Sequence, residues 1–153
     1  MSDPEIKFSP WTPRVFWSCA KDAPLGHLSR ALEVPETFCI ELSAHDWDDE
    51  ARVFDELARG FSFPEYFGRN WDAASDCMSD VHDTQPKLLA VIRDIPASEA
   101  ARMNVARVAE TIGPEYPEDH AHCVVLDGWD RAEIEVRWGA RSESYPVRRL
   151  ETS

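Results

Sequence analysis

Phe63-Pro64-Glu65-Tyr66-Phe67-Gly68-Arg69-Asn70-Trp71-Asp72-Ala73-Ala74-Ser75-Asp76-Cys77-Met78-Ser79-Asp80-Val81 reads as a loop that turns into a helix. Pro64 lacks a backbone donor, Gly68 admits unusual dihedrals, and Asn70 is a good helix N-cap. From there Ala73, Ala74, Cys77, Met78 and Val81 recur at helical spacing on one face. Asp72, Asp76 and Asp80 fall on the opposite face at successive i,i+4 steps, interleaved with Ser75 and Ser79. Like charges at that spacing cost a helix roughly 0.2–0.5 kcal/mol per pair. The positive end of the helix dipole recovers some of this for Asp72, but Asp76 and Asp80 lie too far along. A row of acids that weakens its own helix points to something basic docking there. Taken without its surroundings, the same row would read as a solvated helix face.

The surroundings decide between these readings. Pro64, Glu65, Tyr66, Phe67, Gly68, Asn70, Asp72, Ala73, Asp76 and Cys77 follow one another in unbroken register. That run resembles the signature of the barstar family, small intracellular proteins that inhibit ribonucleases. The resemblance implies an α/β fold, a small parallel sheet packed by helices, with a family core over about residues 37–127. It implies a partner as well: a small basic ribonuclease of the extracellular type, bound one to one. A ribonuclease cleft lined with Arg, Lys and His can be plugged by carboxylates placed where RNA phosphates would sit, because Arg makes paired hydrogen bonds to either group. By the match, Asp76 is the central carboxylate, Asp72 a second, Tyr66 a flat aromatic anchor, and Asn70 a hydrogen-bonding contact beside Gly68. The chain departs from the family pattern at two positions. Ser75 stands where the best-known member has a tryptophan, and Trp71 where it has a small aliphatic residue. Trp71 either supplies the contact area missing at Ser75 or belongs to the core; its place beside Asp72 favours contact. Glu110 is the nearest match to an acidic contact on a later helix.

Bulk composition agrees with that partner. The 153 residues make a single domain by length, and 43% hydrophobic content is enough for a core. Sixteen Lys and Arg against 29 Asp and Glu give a net charge of −13. Such a field repels nucleic acid and anionic membranes and speeds encounter with a basic protein. Merely soluble acidic proteins share this property, so charge supports the inhibitor reading without creating it. No apolar run approaches membrane-spanning length, and residues 1–18 lack a basic segment followed by an apolar one. A cytoplasmic, free-standing monomer is expected. Cys19, Cys39, Cys77 and Cys123 are scattered among apolar neighbours with no CxxC pair, so they read as small buried hydrophobes with no required disulfide or zinc knuckle.

In chain order, residues 2–13 read as an irregular arm and Arg14–Cys19 as a strand, with Leu25, Leu28 and Leu32 forming a short helical stripe before Pro35. Phe38, Ile40 and Leu42 alternate as a strand. Asp46 is placed to cap a helix with Ala51, Phe54, Leu57 and Ala58 inward and Gly60 as its terminator. After the acidic helix, Lys87–Ile92 is a nearly continuous apolar run, a strand buried on both faces. Ser98 caps a further helix with Ala101, Val105, Val108, Ala109 and Ile112 inward, stopped by Gly113-Pro114. His122–Leu126 is another buried strand. Strands separated by helices point to a parallel sheet with right-handed crossovers. Residues 1–36 and 128–153 are additions to the family core. In the second, Ala132, Ile134, Val136 and Trp138 alternate, Gly139–Ser144 reads as a turn, and Tyr145–Leu150 is placed to return as a hairpin-like partner. Whether the two additions pair with each other or extend the sheet edge is not decided by the pattern.

Other chemistries are weaker. His120 and His122 on a strand would share a face, with Asp119 and Asp127 nearby, but a metal needs three or four convergent ligands and nothing fixes the rest. There is no phosphate-binding glycine loop, GxSxG elbow or recognisable Cys–His frame, so no enzyme activity, cofactor or metal is expected. Three alternatives stay open, in this order: an immunity protein against a toxin that is not a ribonuclease, an interaction module that does not inhibit, and a metal-dependent hydrolase built on Asp119–His122.

Overall fold

The computed structural model describes residues 16–19, 22–31, 38–84, 87–112, 121–128 and 147–149. These form strand β1 (Phe16–Cys19), helix α1 (Leu25–Ala31), β2 (Cys39–Ser43), α2 (Glu50–Phe61), α3 (Trp71–Thr84), β3 (Lys87–Arg93), α4 (Glu99–Ile112), β4 (Ala121–Asp127) and β5 (Val147–Arg149). The strands make one sheet in the order β2-β3-β4-β1-β5, and every neighbouring pair is parallel. The class is α/β, as the alternation of strands and helices required.

The apolar run of β3 sits in the sheet interior, and Leu88, Leu89, Ala90, Val91 and Ile92 are all fully buried. Leu88, Ala90 and Ile92 join Leu42 of β2 and Val124 and Leu126 of β4 in one core with the helices. The helices contribute Val53, Phe54, Leu57 and Phe61 from α2, Ala74, Cys77 and Met78 from α3, and the expected inward row of α4. Leu89, Val91 and Val125 alternate onto the other face and are equally buried, as is Leu28 of α1. Both faces of the sheet are therefore covered, as parallel sheets require.

The two additions do both things the sequence left open. Strand β1 pairs with β4 from Phe16↔Val124 to Cys19↔Asp127, and with β5 from Phe16↔Val147 to Ser18↔Arg149. They extend the sheet past β4 and pair with each other. Because β5 runs parallel to β1, its described partner is not a hairpin neighbour. The expected strand over 132–138 and its turn lie outside the described residues, as do the arm over 2–13, Arg14, Leu32, Pro35 and Gly113-Pro114. Arg93 ties the N-terminal addition to the core. Its Nε donates to Glu41 Oε2 at 2.7 Å, its Nη2 donates to the Ala23 carbonyl at 2.7 Å, and its Nη1 lies 3.5 Å from Asp127 Oδ2. The Asp22 N–H donates to Asp127 Oδ1 at 2.9 Å.

Several local expectations change. The cap of α2 is Asp49, whose carboxylate accepts from the Ala51 N–H, while Asp46 lies in the preceding turns that bury Trp47. Gly60 does not end α2; the helix runs on to Phe61, and Ser62 takes the left-handed cap at φ 55°. Gly60 lies close against the Leu42 side chain instead, and a Cβ there would lie 2.5 Å from Leu42 Cδ2. Val53 rather than Ala51 completes the inward row, and Ala51 is exposed. Phe38 precedes β2 and is exposed rather than part of its alternation.

On the outer side of α2, Arg59 donates to both Glu56 oxygens, at 3.0 and 2.7 Å, and the Ser43 N–H donates to Glu56 Oε2 at 2.8 Å. The Arg59 guanidinium holds the Glu56 carboxyl below the usual carboxylate range; burial opposes this and the Ser43 N–H adds to it. A carboxyl with a lowered folded-state pKa stabilises fully above its unfolded value, and that stability is lost as pH falls through the folded value. Glu56→Gln is therefore expected to cost stability at neutral pH, with the gap to wild type narrowing as pH drops below the carboxylate range. Urea midpoints at neutral and acid pH measure this, and a gap independent of pH would refute the pairing.

Candidate functional site

The loop before α3 is built on aromatic packing. Phe63 and Phe67 meet edge to face at 5.0 Å, Phe67 meets Phe54 at 6.0 Å, and the Phe67 N–H closes a turn onto the Pro64 carbonyl at 2.9 Å. With Phe67 drawn inward, its neighbour Tyr66 is thrown out to 83% exposure. Gly68 is exposed but does not carry the left-handed backbone; Arg69 does, at φ 56°. Arg69 is held there by an ion pair to Asp55 at 2.7 Å and by donating to the Ala51 carbonyl at 3.1 Å, which fixes the loop against α2. Asn70 then caps α3: its Oδ1 accepts from the Ala73 N–H at 2.8 Å and its carbonyl from the Ala74 N–H at 2.9 Å.

The faces of α3 divide as the spacing predicts. Ala74, Cys77 and Met78 are buried, and Asp72, Ser75, Asp76, Ser79 and Asp80 are exposed. None of the three aspartate carboxylates has a hydrogen-bond or ion-pair partner among the described residues. Burial, with added repulsion from Asp80 and Asp76, pushes the Cys77 thiol up, so it stays a neutral core side chain. Cys77 and Cys39 are both reduced thiols.

Trp71 is half-buried and enclosed by residues of its own chain. Phe54 packs edge to face at 5.0 Å, Trp71 Nε1 donates to Glu50 Oε2 at 2.8 Å, and the Arg107 guanidinium stands 5.2 Å over the ring. Arg107 Nη1 also reaches Glu50 Oε2, at 3.4 Å. Beside this group an open groove of about 280 Å³ runs between α3 and α4, lined by Trp71, Ser75, Arg107, Glu110 and Thr111. The groove brings together the three positions where the chain departs from the expected pattern or matches it loosely: Trp71, Ser75 and Glu110. Tyr66, Gly68, Asn70, Asp72 and Asp76 lie on the exposed loop and acidic face next to it.

Sequence reading missed Arg69, Glu50 and Arg107. A signal was present for Arg107, since it occupies an outward position between the inward Val105 and Val108. Nothing in the sequence linked it to Trp71 or Glu50.

The metal reading lies largely outside the described residues, which exclude Asp119 and His120. Among the described residues no group of three His, Cys, Asp or Glu side chains is placed to hold a metal ion. Among them, too, no helix is long and apolar enough to cross a membrane.

Residues 37–122 match the model of a family described as "Barstar (barnase inhibitor)". A comparison with curated proteins returns no match.

Proposed function

The chain belongs to the barstar family, and on that premise we propose that it binds a small basic ribonuclease one to one and blocks its active-site cleft. Asp76 and Asp72 occupy the subsites of RNA phosphates, Tyr66 packs as an aromatic anchor, and Asn70 hydrogen-bonds at the rim. Inhibition is steric and electrostatic, without turnover or cofactor. The protein thereby protects the cytoplasm of the cell that makes the nuclease.

One observation carries this reading above the others. The three α3 carboxylates are exposed and have no partner among the described residues, beside a tyrosine held out by the packing of its neighbour. Carboxylates that repel one another along their own helix are suited to a partner that brings cations to them. The net charge of −13 steers such a partner in.

The test is an RNA-cleavage assay across a panel of small basic microbial ribonucleases, with this protein added up to equal concentration. Stoichiometric loss of cleavage with at least one enzyme is expected. Full cleavage across the panel, with the protein folded, would remove the ribonuclease reading in favour of another toxin or a partner that is not inhibited.

A further inference from the structure

The groove between α3 and α4 contains a cation in the middle of an acidic face. Its neighbour Glu50, together with the open space at Ser75, would draw a partner's Lys or Arg onto the Trp71 ring. That place is taken: the Arg107 guanidinium stands 5.2 Å over the ring and shares Glu50 with the indole N–H. Among the described residues the 3.4 Å contact with Glu50 is the one ion pair Arg107 makes, and its side chain is 57% exposed. More than half of the side chain is therefore open to a partner.

We infer that Arg107 is a specificity-determining residue that works by exclusion. It fills in cis the position a ribonuclease cation would take, and so rejects enzymes that present Lys or Arg to this groove. The partner it admits is a basic ribonuclease whose surface opposite the groove is uncharged. Like charges brought together at an interface are among the strongest devices against a wrong partner, and selectivity among similar partners commonly uses such a repulsive element. The acidic row of α3 attracts basic ribonucleases as a class, and Arg107 sorts them. This inference rests on the ribonuclease-binding reading above.

The experiment measures dissociation constants across the ribonuclease panel for the wild-type protein, Arg107→Gln and Asp76→Ala. With Arg107→Gln, enzymes that bound weakly are expected to gain about tenfold or more in affinity, and the gain should disappear when Asp76→Ala is added. A structural strut whose removal loosened Trp71 would lower affinity or leave it unchanged, never widen the range of enzymes bound. If Arg107→Gln leaves every affinity unchanged or lowers all of them alike, while Asp76→Ala still abolishes binding, the inference falls and the inhibitor reading stands. If no enzyme's binding depends on Asp76, both fall.

Discussion

Asp76→Ala is expected to weaken binding of the target ribonuclease by about 2–5 kcal/mol, roughly 30-fold to several-thousand-fold in Kd, the range general to truncating one partner of a desolvated charge pair. Asp80→Ala is expected to change it by less than about 1 kcal/mol, as for a charge at a solvated rim. The two residues share a helix face, both are exposed, and neither carboxylate has a partner among the described residues. They differ in distance from the loop. Asp76 lies one turn beyond Asp72 on the helix that starts after Asn70, while Asp80 lies a further turn from that loop. Since neither carboxylate supports the fold, both variants should unfold at wild-type denaturant or slightly above it, because each relieves an i,i+4 repulsion. A binding loss at Asp76 therefore could not be attributed to misfolding. Association should also slow as salt rises, and mainly through the on-rate, because the −13 field acts at a range that salt screens. Equal and small effects of the two substitutions would show that this face is not the binding surface.

Much of the site is legible because its determinants are local. The N-cap at Asn70, the apolar and acidic faces of α3 and the Ser98 cap of α4 each depend on residues within a turn or two of one another. Where several residues of the same type compete, local reading fails. Asp46 and Asp49 are equally good caps in isolation; in the structure Asp46 lies in the turn beside the buried Trp47 and Asp49 caps the helix. Glycine is a misleading guide here. Gly60 lies close against the Leu42 side chain rather than at a helix end, and the left-handed residue of the loop is Arg69, paired with Asp55, rather than Gly68 next to it. The Glu50–Trp71–Arg107 group is harder still, because its members are 21 and 57 residues from one another in sequence. Non-local pairing also hid the sheet order: an alternating pattern shows that a segment is a strand, but not that β1 lies between β4 and β5.

That sheet order gives the second large expected effect, on stability. Arg93→Met should lower the unfolding free energy by about 3–5 kcal/mol, the range for breaking a buried ion pair on one side, whereas Arg59→Met should cost no more than about 1 kcal/mol. Each arginine donates to a carboxylate at 2.7 Å, so distance does not separate them. Burial does. Arg93 is 16% exposed and the Asp127 side chain 3%, against 60% for Arg59. Methionine preserves much of the apolar stem of Arg93 but removes its guanidinium from the Asp127 and Glu41 carboxylates and from the Ala23 carbonyl. The lost bond to Ala23 joins the segment between β1 and α1 to the end of β3, beside the Asp22 N–H bond to Asp127 of β4 that the substitution leaves. Hydrogen exchange in the variant should therefore rise first in β1 and α1 and only afterwards in β3. If the segment outside the family core were a separate unit resting on the sheet, exchange would rise there with no loss in global stability. A matched loss at both levels would mean that the additions and the family core fold together, with β1 as an interior strand of one sheet.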